Sequence, residues 1–352
     1  LHESFMARTD LMKDWGFGDK FDSPEDLTNF LRRAKKEYPN STPVGNRWGA
    51  NTIIRGMAHQ YFSNIGMWFD HDTDQYIYGP AKDGFEEFME YLHTWYAEGL
   101  LDPEWGTTSD EVWKENLLND KAFFVYDYMT VADGMTADGK KKNPNYEYAA
   151  VVPFSGDAGH DVGQAERYHD VYFLLKVISA KSKYIEELVD FLEWCYTEEG
   201  VDTVMWGEEG NTFVKNADGT NSLTDKVKTL HNPDGAFVPG ENGIRHEFTA
   251  VETIENVYAF GMGPLARKAW GDHIEAGAVM QPQPFPIFTD DELARKTQIE
   301  SSVNTYMNEL MVNMITGKVA VNTWDSHIET LKGMGIDELV KLYNTGYDRV
   351  YR

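Results

Sequence analysis

Apolar side chains recur at helical spacing in several parts of the chain. They return every three or four residues after Ser23 and again over residues 82–98, which places them on one face of a helix. Ser23 is a suitable N-cap and Pro24 suits the first helical position. The segment Thr289–Glu292 has the pattern of a capping box and predicts a long helix that ends at Gly317. Further helices are predicted over residues 184–197, 201–206, 324–331 and 336–347.

Short apolar runs bounded by turn residues predict strands over residues 121–126, 146–153 and 172–178. Residues 65–79 have two apolar arms around a polar run, which predicts a hairpin. Residues 211–245 are rich in Asn, Asp and Gly, so we expect loop with short strands there. Strands separated by helices indicate an α/β fold with more helix than strand.

The composition is that of a folded, acidic protein. The 352 residues include 32 Lys and Arg and 58 Asp and Glu, a net charge of −26, and 14% of the residues are aromatic. This charge argues against nucleic acid and against electrostatic docking on an anionic membrane, because both need clustered Lys and Arg. No apolar run is long enough to predict a membrane span. The single Cys195 excludes a disulfide within the chain and is expected to be buried.

Catalytic and cofactor signatures are absent from the sequence. It has no nucleophile elbow, no phosphate loop, no dinucleotide glycine pattern and no zinc-protease motif. The run Asp70–Asp74 begins like a calcium loop, but Gln75 and Ala81 stand where Gly and Glu are needed. We therefore expect no metal and no cofactor. The scattered histidines, among them His71, His160 and His169, are expected in loops rather than as ligands.

Aromatic residues outside the helical stripes point to a polar ligand. A sugar presents flat C–H faces that stack on aromatic rings, and hydroxyls that carboxylates, amides and guanidinium groups bind. Packing in the core is the better interpretation for each single ring, whereas the set as a whole favours a ligand cleft. These residues are Trp48, Trp68, Tyr126, Tyr128, Tyr168, Trp206 and Trp270. By contrast, Trp95, Trp113 and Trp194 follow helical patterns and are expected in the core.

Four motifs are spread over nearly the whole chain. They are Phe5–Gly16 with the following Ser-Pro-Glu-Asp-Leu, Leu92–Pro103, Trp206–Phe213, and Tyr306–Gly317 with the following Trp324-Asp325. In this order they resemble segments of the extracellular solute-binding proteins of ABC importers. Among these, the chain most resembles the large sugar-binding lipoproteins that include the alginate-oligosaccharide binders.

The resemblance implies an α/β fold of the periplasmic binding protein type II class, with two lobes joined by a hinge. Residues 1–170 would form the second lobe, residues 171–282 would return to the first lobe, and residues 283–352 would form helices packed mainly on the second. It also implies a further N-terminal segment before Leu1 that builds much of the first lobe. Without that segment, the strand predicted at 171–178 is expected to be exposed.

The resemblance also implies positions for a binding site in the cleft. Tyr126, Asp127 and Tyr128 follow a predicted strand, and Arg167 and Tyr168 precede the crossing between lobes. Glu209 matches a glutamate of the family motif. Trp48 and Trp68 flank a region expected to be rich in loops, and Trp206 and Trp270 complete the set.

The function implied is substrate capture for a carbohydrate ABC importer, without bond chemistry. The expected partners are a carbohydrate ligand and the permease subunits, and the protein is expected to be a monomer. It would act at the extracellular face of the cytoplasmic membrane through a lipid anchor, or in the periplasm. Two alternatives stay open: a secreted glycoside hydrolase with an acid/base carboxylate pair, and a surface receptor that has lost transport. The sugar's charge also stays open, since a polyanion would need a patch built from Arg47, Arg55, Arg167, Arg245, Arg267 and Lys268.

Overall fold

The computed structural model describes residues 2–167, 176–225 and 262–352. The strands are β1 (His2–Arg8), β2 (Met67–Asp70), β3 (Gln75–Tyr78), β4 (Phe124–Tyr128), β5 (Tyr148–Ala150), β6 (Glu166–Arg167), β7 (Phe213–Lys215) and β8 (Asn221–Leu223). The helices are α1 (Thr9–Trp15), α2 (Pro24–Glu37), α3 (Asn51–Gln60), α4 (Phe85–Ala97), α5 (Asp110–Leu118), α6 (Val131–Lys140), α7 (Ile185–Trp194), α8 (Glu198–Val201), α9 (Pro264–Ala276), α10 (Asp290–Ile315), α11 (Trp324–Met334) and α12 (Ile336–Tyr351). None of these helices is long and apolar enough to cross a membrane.

The predicted helix starts are formed by local hydrogen bonds. The Ser23 hydroxyl accepts a bond from the Asp26 N–H at the start of α2. At α10 the Thr289 hydroxyl accepts from the Glu292 N–H, and the Glu292 carboxylate accepts from the Thr289 N–H, so the capping box is complete. The predicted hairpin also forms, with β2 and β3 antiparallel and Asp70 opposite Gln75.

The main sheet is built around β1. This strand pairs antiparallel with β4 on one side and with β5 and β6 on the other. Phe5 lies opposite Tyr126, and Glu3 lies opposite both Tyr128 and Glu166. Because β4 is antiparallel to β1, the carboxyl end of β4 lies beside the amino end of β1, where β6 also pairs. We call this edge the Glu3 end of the sheet.

Apolar clusters cover both faces of the sheet. Phe5 and Tyr126 belong to the larger cluster, which includes side chains of α2, α3, α4 and α10. Met6 and Val125 belong to a second cluster with side chains of α5, α6 and α9. Successive residues of one strand therefore enter opposite cores, as the pleat requires. The arrangement confirms the prediction of a helix-rich α/β fold.

The sequence did not predict β1, because polar residues interrupt its apolar pattern. Both faces of the strand are covered, so even the polar side chains of Glu3, Ser4 and Arg8 are buried. Each has a partner: Ser4 bonds to His273, and Arg8 bonds to Asp10 and Asp120. Burial raises the cost of leaving such groups unpaired, so these contacts help to fix the strand.

The C-terminal helices hold the hairpin in place. Helix α10 packs on α4, and α12 packs on α10 and β3. The Asn344 side chain accepts from the Tyr76 N–H and donates to the Tyr76 carbonyl, which imitates a third strand. Tyr347 and Arg352 both donate to the Asp74 carboxylate. The hairpin turn that resembled a calcium loop is thus tied to the end of the chain.

Several expectations need correction. Helix α3 occupies most of the region between Trp48 and Trp68 that was expected to be rich in loops. Trp270 was placed outside helices but lies on α9. Trp194 was expected in the core but is only half-buried, and α7, on which it lies, has no buried residue. Trp95, Trp113 and Cys195 are buried as predicted. Most of the strand predicted at 172–178, together with the proposed crossing at Asp170, lies outside the described residues, and residues 176–178 have no regular structure.

Candidate ligand site

A buried ion pair organises the Glu3 end of the sheet. The Arg47 Nε and Nη2 atoms each lie 2.7 Å from an oxygen of the Asp127 carboxylate, an arrangement with two parallel bonds. Asp127 is fully buried. The guanidinium also lies between two indole rings, 3.7 Å from the ring centre of Trp48 and 3.9 Å from that of Trp113. These contacts fix the orientation of Arg47 and of both rings.

Trp48, which is exposed, and Tyr128, which is half-buried, form an aromatic pair beside this ion pair. Their ring centres are 5.3 Å apart with an edge-to-face angle of 63°. Trp48 is 47% exposed, whereas tryptophan is highly buried on average. Its backbone has φ of 62°, a conformation that a bulky residue adopts at an energetic cost. The structure thus holds a flat apolar ring in contact with solvent on a rigid support.

A second network lies beneath this surface. The Tyr126 hydroxyl lies 3.0 Å from His59 Nδ1 and 3.3 Å from the Glu166 carboxylate. Arg55 bridges β1 and β6: its guanidinium lies 2.5 Å from the Glu3 carboxylate and 3.1 Å from the Glu166 carboxylate. Tyr126 is only 2% exposed, so its ring packs in the core while its hydroxyl belongs to this network.

Burial sets the protonation of two groups in this region. Burial, with a contribution from Arg55, lowers the pKa of His59 to about 3, so the imidazole is neutral near pH 7. Burial raises the pKa of Asp127, and the hydrogen bonds from Arg47 and the Tyr128 N–H oppose that rise. The two hydrogen bonds from the Arg47 guanidinium indicate that Asp127 is in the carboxylate form.

His59 makes the stability of the fold dependent on pH. Its folded pKa of about 3 lies below the unfolded value of 6.5, so only the unfolded chain binds the proton as pH falls between them. The stability from a neutral His59 is present above pH 6.5 and is lost toward pH 3, by up to about 1.4 kcal/mol per pH unit. We expect His59→Gln to show a flatter decline in urea midpoint over pH 6.5 to 4. Buried His273 contributes equally in the wild type and in the variant, so it does not account for a difference between them. Equal slopes of urea midpoint against pH in the two proteins would contradict the prediction.

The structure brings together only part of the predicted site. Trp48, Tyr126, Asp127 and Tyr128 meet at the Glu3 end, and the backbone of Arg167 pairs with His2 there. Trp68 is buried with its ring 5.9 Å from that of His59. Tyr168 lies outside the described residues.

The other predicted residues lie elsewhere. Trp206 closes a π-helical turn after α8, within the helix predicted over residues 201–206, and is buried against Met205 and Phe213. Glu209 borders an open groove that also contains Trp194 and Lys215. Trp270 is partly buried and packs against the second apolar cluster, the one that contains Met6 and Val125.

Sequence reasoning missed the supporting role of Arg47, Arg55 and His59. Arg47 and Arg55 were considered only as cations for an anionic ligand, whereas carboxylates of the chain already neutralise both. A signal was present at Arg47, which directly precedes an aromatic residue and a glycine in a polar loop.

No protein-family model and no curated protein sequence matches the chain. Solved structures do. The alginate-binding protein AlgQ2 superposes with a TM-score of 0.75 at 19% identity, over 99% of this chain and 72% of that one. The S. pneumoniae ABC-transporter substrate-binding protein FusA, solved with kestose, gives 0.71 at 14% identity, over 99% and 72%. A solute-binding protein from Bifidobacterium longum infantis, described as binding HMO, gives 0.68 at 13%, over 98% and 73%.

These similarities define the class of fold. The chain has the fold of the substrate-binding proteins of ABC transporters, which confirms the expectation from the four sequence motifs. At these identities the similarity concerns the fold, and the ligand must be argued from this chain's own residues.

Proposed function

We propose that this protein is the substrate-binding component of an ABC importer and captures an oligosaccharide. The observation that carries the proposal is the exposed Trp48 ring, held by Arg47 and Tyr128 at the Glu3 end of the sheet. An exposed and rigid aromatic face suits the C–H face of a sugar. The structural neighbours named above, which bind alginate, kestose and HMO according to their descriptions, support the same ligand class.

The proposed site lies on the edge of a lobe. In this proposal residues 1–170 form the second lobe, residues 171–282 belong to the first, and residues 283–352 pack mainly on the second. Ligand bound against Trp48 and Tyr128 would be enclosed when the lobes close about the hinge, and the closed form would be presented to the permease subunits. The protein acts as a monomer outside the cytoplasmic membrane, lipid-anchored or periplasmic, and breaks no glycosidic bond.

Titration calorimetry of the full chain against a panel of oligosaccharides tests the proposal. We expect saturable binding of at least one oligosaccharide, and mass spectrometry should recover that sugar intact after long incubation. Failure to bind any member of a broad glycan panel would contradict the proposal. Cleavage of the bound sugar would instead support the glycoside hydrolase alternative.

A further inference from the structure

One row of side chains crosses the Glu3 end of the sheet. Glu3 on β1 lies opposite Tyr128 on β4 and opposite Glu166 on β6. Residues directly opposite each other in paired strands point to the same face, so these three side chains share one face of the sheet. Neighbouring strands lie about 5 Å apart, so the backbones of Tyr128 and Glu166 are separated by about 10 Å. A ligand that contacts the Trp48–Tyr128 pair therefore has Glu166 within reach of its next sugar ring.

Arg55 of α3 is held against this row by two carboxylates. Its Nη2 atom donates to the Glu3 carboxylate at 2.5 Å, and the Glu3 side chain is only 2% exposed. Its Nε atom lies 3.1 Å from Oε2 of Glu166, the same oxygen that accepts from the Tyr126 hydroxyl. The planar guanidinium is thus fixed from two strands before any ligand binds, which lowers the entropy cost of using it in recognition.

The open side of this ion pair carries one donor and one acceptor. Within the part of the chain that the structure describes, Arg55 Nη1 and Glu166 Oε1 make no hydrogen bond and no ion pair. Neither atom is fully buried, unlike Arg55 Nε, and the two side chains are 28% and 19% exposed. A guanidinium N–H beside a carboxylate oxygen suits two neighbouring hydroxyl groups, because one hydroxyl accepts a hydrogen bond while the other donates one.

We infer that Arg55 and Glu166 bind two hydroxyl groups of the sugar ring next to the ring on Trp48. Arg55 Nη1 donates to one hydroxyl oxygen, and Glu166 Oε1 accepts from the other hydroxyl. The inference rests on the proposed function and adds two residues that determine which sugar binds. A sugar that lacks either hydroxyl leaves a charged group without its partner and binds more weakly. An ion pair that only joined β1 to β6 would not distinguish one sugar from another.

Deletion of hydroxyl groups from the sugar, combined with substitutions in the protein, tests this inference. The probes are kestose, an alginate oligosaccharide and a broad panel of further oligosaccharides, followed by the monodeoxy analogues of the member that binds most tightly. Arg55→Lys can keep an ion pair with Glu3 but lacks Nη1, and Glu166→Ala removes Oε1. Titration calorimetry with the full chain measures each affinity, and urea unfolding confirms that each variant is folded.

The ion pair of Arg32 and Glu98 provides a matched control. Two nitrogen atoms of the Arg32 guanidinium each lie 2.7 Å from an oxygen of Glu98, and the pair joins α2 to the end of α4 rather than β1 to β6. Both side chains are partly exposed. Arg32→Lys and Glu98→Ala therefore remove the same kinds of group from an ion pair outside the main sheet, and we expect both variants to bind every probe as the wild type does.

We expect the wild type to bind the parent sugar at least about tenfold more tightly than one or more of its monodeoxy analogues, the loss typical of a hydrogen bond to a charged group. For at least one of these hydroxyls, the ratio should fall below about threefold in Arg55→Lys or Glu166→Ala, because the protein partner is already gone. If one of these variants does not fold, the other decides.

Two results would overturn the inference while leaving the proposed function intact. One is a wild type that binds the parent sugar and all its monodeoxy analogues equally well. The other is a ratio that stays unchanged in every folded variant of Arg55 and Glu166, even if their affinity for all the sugars falls, since that would show that the ion pair only supports the sheet. No binding of any oligosaccharide by the wild type would overturn the proposed function, and this inference with it.

Discussion

Trp48→Ala should weaken oligosaccharide binding while leaving the fold intact. The ring is about half exposed and contacts Arg47 and Tyr128 rather than the core. Removing an aromatic anchor typically costs about 1–3 kcal/mol of binding free energy, and each 1.4 kcal/mol is tenfold in affinity. The lost contact with Arg47 should reduce the free energy of unfolding by only about 0.5–1 kcal/mol. Titration calorimetry and urea unfolding measure the two effects separately.

Two companion variants separate the ring from the strained backbone. Trp48→Gly also removes the ring but relaxes the positive φ, so it should be more stable than Trp48→Ala and bind equally weakly. Tyr351→Ala serves as a control, because Tyr351 is exposed to a similar extent on α12. Affinity that is unchanged in both Trp48 variants would remove this residue from the site.

Tyr128→Ala tests the second ring of the pair. Tyr128 is half-buried at the end of β4, and its ring contacts Trp48. If it stacks on sugar, affinity should fall by about 1–3 kcal/mol with little change in melting temperature. A loss of about 3 kcal/mol or more in unfolding free energy would instead identify it as a core residue.

Asp127→Asn should produce the largest loss of stability. It removes the charge that compensates Arg47, whose side chain is only 10% exposed. Breaking a buried pair in this way costs about 3–5 kcal/mol, because the remaining charge stays desolvated. Urea unfolding of the variant measures the effect. Affinity should fall as well, since Arg47 supports the Trp48 ring.

The chain offers a matched control for this prediction. Asp110 lies 3.6 Å from the same guanidinium but is 57% exposed. Asp110→Asn should therefore change the free energy of unfolding by no more than about 1 kcal/mol. Similar effects of the two substitutions would show that burial does not set the strength of the Arg47–Asp127 pair.

The sequence predicted the elements whose signals are local. The caps of α2 and α10 are bonds between residues three apart, so Ser23 and Thr289 identify them without knowledge of the rest of the fold. The hairpin was visible for the same reason, as two apolar arms around a short polar turn. The four motifs carried enough of the fold's pattern to indicate its class, and the solved structures confirm that class.

Contacts between distant residues decided the rest. The polar side chains of β1 interrupt its apolar pattern, and the partners that allow their burial include residues far along the chain; His273 is 269 residues from Ser4. Arg47 and Asp127 are separated by 80 residues, and only the packing of β4 beside the Arg47 loop makes them a pair. The same packing buries Tyr126 and leaves Trp48 exposed. Exposure is a property of the assembled fold, so the sequence determined which aromatic rings are available, and the tertiary structure decided which of them faces solvent.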